Sequence, residues 1–222
     1  MEQEIIEDRR APLTRERVLL AAVEVADRGG LEALSMRKLG QELGVEAMAI
    51  YRHVRDKDDL LDGVVQVLVG QIGRPAAGDG WKATLREQLM AARAVMLRHP
   101  WARRVLEDRG STGPATLAHI DSILGILAGA GFSLELAHHA LHVLGSRIYG
   151  FEQDMLGDSS GGGTAPEADA AQLQAMLGRY PNVASLAAAA SHGGTLGPCD
   201  DDVEFTFGLD LVLDGLEARL ER

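Results

Sequence analysis

The chain has 222 residues, of which 46% are hydrophobic, enough for one large or two small globular domains with buried cores. No uninterrupted apolar run approaches the length of about 18 residues that a membrane span needs, and the acidic start, MEQEIIEDRR, lacks the apolar segment of a secretory signal. Cys199 is the only cysteine, which excludes an intrachain disulfide and a cysteine-based zinc site. We therefore expect a cytoplasmic protein without a membrane partner.

The formal net charge of −11 weighs against a protein that binds nucleic acid with its whole surface. Between residues 35 and 57, however, five basic residues accompany three acidic ones, so this segment is locally positive. Because phosphate contacts depend on the local surface, the acidic total does not exclude DNA binding.

Helical periodicity runs through the whole chain, and the period-two alternation of strands is nearly absent. Before residue 73, side chains able to cap a helix precede apolar residues at helical spacing. Four helices are predicted there: one capped by Thr14 and ended by Gly29 and Gly30, one capped by Ser35, one from Glu46 to Val54, and one capped by Asp56 that runs from Lys57 to Ile72.

A stretch rich in glycine and proline, GRPAAGDG at residues 73–80, interrupts this pattern and marks a boundary. Residues 157–169 are a second such stretch, flexible by composition. The helices predicted beyond the first break are Trp81 to His99, a short one from the Pro100 interruption to about Asp108, Pro114 to Ala130, Ser133 to about Leu156, two short ones between Ala170 and His192, and Val203 to Leu220.

The segment from Leu34 to Asp62 carries the most informative pattern in the chain. It predicts a short helix, a tight turn at Gly44 and a second helix, with another helix following at once. This arrangement is typical of a helix-turn-helix motif, whose second helix enters the major groove of DNA. In that helix, Ile50 and Val54 would point inward. The side chains left for its other faces are Ala47, Ala49, Tyr51, Arg52 and His53.

The sequence SMRKLGQELGVEAMAIYRHVRDKDDLL resembles the N-terminal domain of the TetR family of bacterial transcriptional repressors. Two later segments, AGFSLELAHHALHVLGSRIYGFEQDM and FTFGLDLVLDGLEARL, resemble the ligand-binding domain of the tetracycline-repressor branch. The resemblance implies an all-α fold with a three-helix N-terminal helix-turn-helix domain (1–56), a linking helix (57–72) and a larger helical ligand-binding and dimerisation domain (73–222). It also implies a homodimer that represses transcription from a palindromic double-stranded DNA operator until a small-molecule effector releases it.

The resemblance assigns DNA contacts by motif position. Arg37 would read a base edge such as guanine O6 and N7, and Lys57 would contact phosphate at a helix N-terminus, where backbone N–H groups also favour anions. Arg52 is either a DNA contact or an ordinary solvent-facing side chain. Relatives often carry polar residues where this chain has residues 47–49, so thymine methyl groups and DNA shape would contribute to specificity. The predicted DNA-binding residues are Ser35, Arg37, Lys38, Ala47, Met48, Ala49, Tyr51, Arg52, His53 and Lys57.

A polar residue, His138, falls on an apolar stripe of the helix that begins at Ser133. It is either a satisfied core histidine or the group that gives an apolar cavity its orienting hydrogen bond. The resemblance places this stripe on the wall of the ligand pocket, and Gln88, Ala92 and Met96 would line the facing helix, which begins at Trp81. Leu89, Met90 and Met96 on that helix could equally be plain core. The predicted ligand-binding residues are Gln88, Ala92, Met96, Leu106, His138, Leu141 and Gly145.

The tetracycline-repressor branch holds its drug as a magnesium chelate through a histidine, and the matching position here is Leu106. We therefore expect a largely apolar organic effector, without a metal or a cofactor.

Three patterns that look catalytic lack their context. Residues 157–161 match G-x-S-x-G, but a helix precedes them and a flexible loop follows. His138 and His142 lie one helical turn apart, yet His139 stands where a zincin has glutamate. Residues 161–163 lack the lysine of a phosphate loop. No catalytic residue is expected, and the chain is not expected to be an enzyme.

Alternatives to the ligand-released repressor are an activator or ligand-independent regulator of the same fold, and an enzyme that binds small molecules and keeps a vestigial DNA-binding segment. For the dimer, the helices from Ser133 to Leu156 and from Val203 to Leu220 would form a four-helix bundle with their mates. The expected contributors on the second helix are Phe205, Leu209, Val212, Leu213 and Leu216.

Overall fold

The computed structural model describes residues 12–75, 80–109, 113–149, 178–190 and 200–221 of the chain. Every regular element within these ranges is a helix, and none is a strand. The predicted all-α fold class is therefore confirmed. No helix in the described part of the chain combines the length and the apolar character that crossing a membrane requires.

Ten α-helices lie within the described ranges, and a short 3₁₀ turn, Leu31–Ala33, follows the first of them. Four come before the predicted break at residues 73–80. They are α1 (Arg15–Gly29), α2 (Met36–Leu43), α3 (Ala47–Ile50) and α4 (Lys57–Gly70). The other six are α5 (Trp81–Arg98), α6 (Ala102–Arg109), α7 (Pro114–Gly129), α8 (Leu134–Tyr149), α9 (Pro181–Ala190) and α10 (Asp201–Leu220).

Some predictions fall outside the described residues. They are the extension of α8 from residue 150 to Leu156, the flexible stretch at 157–169, and the first of the two short helices between 170 and 192. The second of those two helices corresponds to α9.

The predicted helix starts at Thr14, Ser35 and Asp56 are confirmed by their capping hydrogen bonds. Thr14 Oγ1 accepts from the Arg17 N–H at 3.2 Å, and Ser35 Oγ accepts from the Lys38 N–H at 3.2 Å. Asp56 Oδ1 accepts from the Asp59 N–H at 2.8 Å. Each bond satisfies a backbone donor that the first turn of a helix leaves unpaired, and is worth about 1 kcal/mol.

Two glycines shape the turn between α2 and α3. Gly44 has a φ of 68°, a left-handed conformation that glycine adopts without steric cost. Gly40 is buried where the chain folds back, and a Cβ there would lie 2.8 Å from the carbonyl oxygen of Val45. The two helices can therefore approach closely only because residue 40 has no side chain.

The α3 helix is shorter than the predicted segment from Glu46 to Val54. Regular helix covers Ala47–Ile50, and the chain then continues as a hydrogen-bonded turn in which the His53 N–H donates to the Ile50 carbonyl oxygen at 2.8 Å. Ile50 and Val54 are buried as predicted, with 0% and 2% exposure. Their burial anchors α3 and fixes which face it turns outward.

The described residues within 1–149 and 213–222 form one compact unit, and those within 150–212 form a second. Within the first unit, α4 packs against α1 and also against α7. The helix that follows the helix-turn-helix is therefore shared with the C-terminal helices. The division into 1–56, 57–72 and 73–222 follows function and stays a prediction.

Candidate DNA-binding face and ligand cavity

The start of α3 presents an apolar surface to solvent. Met48 is 74% exposed, the highest value among the large hydrophobic residues that the structure describes before the break at residues 73–80. Ala47 and Ala49 on either side are half-exposed, and Ile50 is buried beneath them. This surface offers methyl and thioether groups, but no side-chain hydrogen-bond donor.

Basic and polar side chains surround this apolar surface. Arg37 and Lys38 are exposed in the first turn of α2, and Lys57 is exposed as the first residue of α4. The remaining predicted contacts are Ser35, Tyr51, Arg52 and His53, of which His53 is half-exposed and the others are exposed. All ten predicted DNA-binding residues thus lie at the start of α2, on α3 with the turn after it, or at the start of α4.

A partly exposed ion pair, missed from the sequence, fixes the turn between α3 and α4. Arg15 on α1 donates to the carboxylate of Asp59 at 2.7 Å and to the carbonyl oxygen of His53 at 2.7 Å. Asp59 also accepts from the Arg55 N–H at 2.8 Å. These bonds, led by that from Arg15, lower the pKa of Asp59 to about 2. The carboxylate therefore stays charged and ties the start of α4 to α1.

A cavity of about 280 Å³ lies among α4, α5, α6, α7 and α8. Eight of its lining residues carry apolar side chains, and the polar ones are Glu107, Thr116 and His119. Of the residues predicted for the pocket, Leu106, Leu141 and Gly145 line the cavity. It is an apolar space with few polar groups, as is usual for small-molecule sites.

Other predicted pocket residues do not line this cavity. Gln88, Ala92 and Met96 are buried, with exposures of 1%, 0% and 6%, but lie outside its wall. His138 is exposed, and its ring packs edge-on against that of His142 with centroids 4.6 Å apart. Neither reading of His138, as core residue or as ligand contact, matches this position.

The reason lies in how α8 is rotated. Its buried positions are Ala137, Ala140, Leu144 and Ile148, whereas Leu134, which shares the predicted stripe with His138, is 84% exposed. Small alanines face α5 and α7, which pack against this helix, because they allow a close approach. The inward face is therefore offset by about one residue from the stripe that hydrophobicity alone predicted.

His119 is the cavity's imidazole, and sequence reasoning did not single it out. Its Nδ1 lies 3.3 Å from Gln88 Nε2, and Gln88 Oε1 accepts from Ser122 Oγ at 3.1 Å. Burial lowers the pKa of His119, which favours the neutral ring. The signal that could have found it is its helical spacing to Thr116 and Ile123, which line the same cavity.

Polar contacts connect the cavity helices to α4. Gln66 on α4 accepts from the Ala115 N–H at 2.7 Å and donates to Thr116 Oγ1 at 3.3 Å. Arg109, at the end of α6, pairs with Asp58 and Asp62 in the first turns of α4. A shift of α6 or α7 would therefore move α4 as well, and Lys57, the first residue of α4, belongs to the predicted DNA-binding face.

The expected dimer contacts on α10 need correction. Phe205, Leu209, Leu213 and Leu216 are buried within the single chain, with at most 6% exposure, so they are not free to face a second copy. The outward apolar side chains of α10 lie on the opposite stripe. They are Val203, Phe207 and Leu211, exposed by 60%, 62% and 57%. Val212, the remaining expected contact, is half-exposed beside the buried stripe.

Among the described residues, no group of three or more histidine, cysteine, aspartate or glutamate side chains could hold a metal ion. The G-x-S-x-G match at 157–161 lies outside the described residues.

Comparison with known proteins gives matches along most of the chain. Residues 18–64 match the family model described as bacterial regulatory proteins, tetR family, and residues 74–220 match that of the tetracyclin repressor-like, C-terminal domain. The chain is 34% identical over 221 residues to the HTH-type transcriptional repressor DrrR1 of Streptomyces coeruleorubidus, covering 93% of this chain and 78% of that protein.

Solved structures also align with most of this chain. Apo ActR from Streptomyces coelicolor aligns with a TM-score of 0.74 at 28% identity, over 95% of this chain and 98% of that one. ActR in complex with (S)-DNPA aligns with a TM-score of 0.71 at 29% identity, over 95% and 100% of the two chains.

Proposed function

This chain belongs to the TetR family of bacterial transcriptional repressors, and we propose that it binds a palindromic operator as a homodimer and leaves it when a small, largely apolar organic molecule fills the cavity. The observation that carries this proposal is the pairing of an exposed helix-turn-helix face, to which α4 contributes Lys57, with an apolar cavity, to which α4 contributes Val69.

The charge pattern supports DNA as the partner. Although the net charge of the chain is −11, Arg37, Lys38 and Lys57 are exposed where the motif would meet phosphates. Arg37 would read a base edge from the first turn of α2, and Lys57 would bind phosphate at the N-terminus of α4.

The cavity supports a small organic effector. Its volume of about 280 Å³ is near the lower end of small-molecule pockets, which span roughly 300–1,000 Å³. A related protein, ActR, forms a complex with (S)-DNPA. In this chain Leu106, Leu141 and Gly145 would contact the effector. No magnesium chelate is part of the proposal, because Leu106 offers no metal ligand.

The exposed stripe of α10 supports dimerisation. Phe207 and Leu211 are large apolar residues separated by one helical turn, and both are more than half exposed in the single chain. Covering such a stripe with a second copy removes apolar surface from water. A two-fold dimer would hold two α3 helices about 34–36 Å apart, matching successive major grooves.

Release follows if the effector prefers a conformation in which the two α3 helices no longer match this spacing. Val69 of α4 lines the cavity, so an occupant would contact the helix that begins with Lys57. To reverse the operator-bound population, the effector must favour the released conformation by about 5 kcal/mol, since equal affinity for both would shift nothing.

The test is operator binding by fluorescence anisotropy, with the intergenic DNA upstream of the gene as probe. Arg37→Ala should weaken binding by about 1–3 kcal/mol, and Lys57→Ala should weaken it on all sequences while lowering the salt slope by about 1. Arg104→Ala, an exposed arginine on α6, is the matched control and should change little. Unchanged affinity in both test variants would exclude this face. A release screen with antibiotics and metabolites then tests the cavity.

A further inference from the structure

Three side chains form a directed hydrogen-bond chain that ends at the cavity. Ser122 on α7 contacts Gln88 on α5 at 3.1 Å, and Gln88 contacts His119 on α7 at 3.3 Å. Gln88 is buried, with 1% exposure, and does not touch the cavity, whereas His119 lines it. The hydrogen-bond chain therefore runs from the protein interior to the cavity.

The order of atoms in this hydrogen-bond chain determines which nitrogen of the imidazole carries the proton. The amide oxygen of Gln88 faces Ser122 Oγ, so its nitrogen faces His119 Nδ1. An amide nitrogen can only donate, so Nδ1 must accept and carries no proton. In a neutral ring the proton then resides on Nε2, and burial, which lowers the pKa of His119, favours that neutral ring.

The Nε2–H of His119 ends this hydrogen-bond chain and is the donor that a ligand could accept from. His119 makes no hydrogen bond in the described part of the molecule other than that with Gln88. Around it the wall is apolar, with Ile120, Ile123 and Leu141 among the lining residues. A ligand that covers this N–H without accepting from it leaves a buried donor unpaired, which costs affinity.

From this geometry we propose that His119 presents Nε2–H to the cavity as a fixed donor, and that the effector is an apolar molecule with a neutral hydrogen-bond acceptor, such as a ketone or quinone oxygen. The proposal rests on the proposed function, because it requires that the effector bind in this cavity. Glu107, an exposed carboxylate on the same wall, disfavours an anionic acceptor by charge repulsion. Gln88 is a positioning residue that acts through His119.

The tautomer can be read directly in the full-length protein without any ligand. In protein labelled with ¹⁵N-histidine, the ring nitrogen shifts and their couplings to the ring protons distinguish Nε2–H from Nδ1–H, and the loss of one spin system in His119→Phe assigns the signal. We expect Nε2–H for the wild type, and a tautomer mixture in Gln88→Leu, in which the directing amide is gone. A wild-type ring protonated on Nδ1 would overturn the proposal.

The acceptor preference is tested with two probes of one skeleton, 9-fluorenone and fluorene, which differ by a carbonyl oxygen. Equilibrium dialysis should show that fluorenone binds about three- to tenfold more tightly, the range expected for one hydrogen bond. The preference should disappear in His119→Phe, shrink in Gln88→Leu, and persist in His138→Phe, the same substitution at an exposed histidine.

Equal affinity for the two probes, no binding of either, or a preference that survives in His119→Phe contradicts the proposal. Operator affinity measured without any probe tests the proposed function separately. A failure of the acceptor proposal can therefore be distinguished from a failure of the proposed function.

Discussion

The guanidinium of Arg109 lies 3.0 Å from the carboxylate of Asp62, so the last residue of α6 is tied to the second turn of α4. The arginine side chain is only 16% exposed, and it also pairs with Asp58 in the first turn of α4. Because α6 contributes Leu106 to the cavity wall and α4 begins with Lys57, this contact connects the cavity wall to the helix that carries a predicted phosphate contact.

A double-mutant cycle on this pair should reveal coupling. Arg109→Ala and Asp62→Ala should each lower the free energy of unfolding, and the double variant should lose about 0.5–1 kcal/mol less than the two losses added. Urea unfolding measures this. The pair of Arg104 and Glu32, with side chains 70% and 87% exposed, is the matched control and should show coupling close to zero. Additive losses at Arg109 and Asp62 would mean that the contact is not formed in solution.

Acid should remove the contribution of Asp59. Its pKa is lowered from 3.8 to about 2 by the hydrogen bond from Arg15 and then by the Arg55 N–H. A carboxylate with a lowered pKa stabilises the fold above its unfolded pKa, and this stability is lost as the pH falls through the folded value. Asp59→Asn should therefore cost about 1 kcal/mol at pH 7, after discounting for solvent screening of Arg15.

The difference between wild type and Asp59→Asn should shrink between about pH 4 and pH 2, because both proteins then carry a neutral group at position 59. Urea unfolding at a series of pH values gives the curve. Asp121→Asn, at an exposed position on α7, serves as the control for general charge effects. A wild-type advantage that does not depend on pH would contradict the role assigned to this pair.

Local signals predicted most of the helices. Thr14, Ser35 and Asp56 each cap a helix through a bond to a backbone N–H three residues later, and Gly44 adopts the left-handed turn that its position suggested. Such contacts span only a few residues, so composition and spacing suffice to predict them. The resemblance of 34–62 to a known motif then predicted which residues contact DNA.

The cavity could be predicted only in part, because its polar groups are defined by contacts between distant residues. His119 and Gln88 are 31 residues apart, and Arg109 and Asp62 are 47 apart. No periodicity within one helix shows which side chains will meet across two. The misplacement of His138 has the same origin, since the neighbours of α8 decide whether its alanines or its leucines turn inward.

Met48 should read thymine methyl groups. It is 74% exposed at the start of α3, beside two alanines, so its thioether is the longest side chain there. Replacing the thymines of each half-site with uracil removes only methyl groups, and should weaken binding by the wild type about fourfold per contacted methyl, since burying one such group is worth about 0.8 kcal/mol.

The same replacement should have little effect on Met48→Ala, which cannot reach the methyl group. Arg37→Ala is the control, because it should weaken binding to both DNAs yet keep the sensitivity to uracil. Competition anisotropy at fixed salt measures all six affinities, those of three proteins for two DNAs. Equal sensitivity to uracil in the wild type and in Met48→Ala would remove Met48 from the base-reading surface.

Phe207 should be central to dimerisation. Its ring is 62% exposed on α10, one turn before Leu211, and no other phenylalanine in the described part of the chain is exposed. A charge at this position would have to be desolvated in an interface, so Phe207→Glu should shift the protein to monomer in sedimentation equilibrium, while its helix content by circular dichroism stays unchanged. Operator affinity should fall as well, because a monomer engages one half-site. Leu117→Glu, an equally drastic change at a residue 54% exposed on α7, should leave the dimer intact. A dimer that persists in Phe207→Glu would place the interface on another face of the chain.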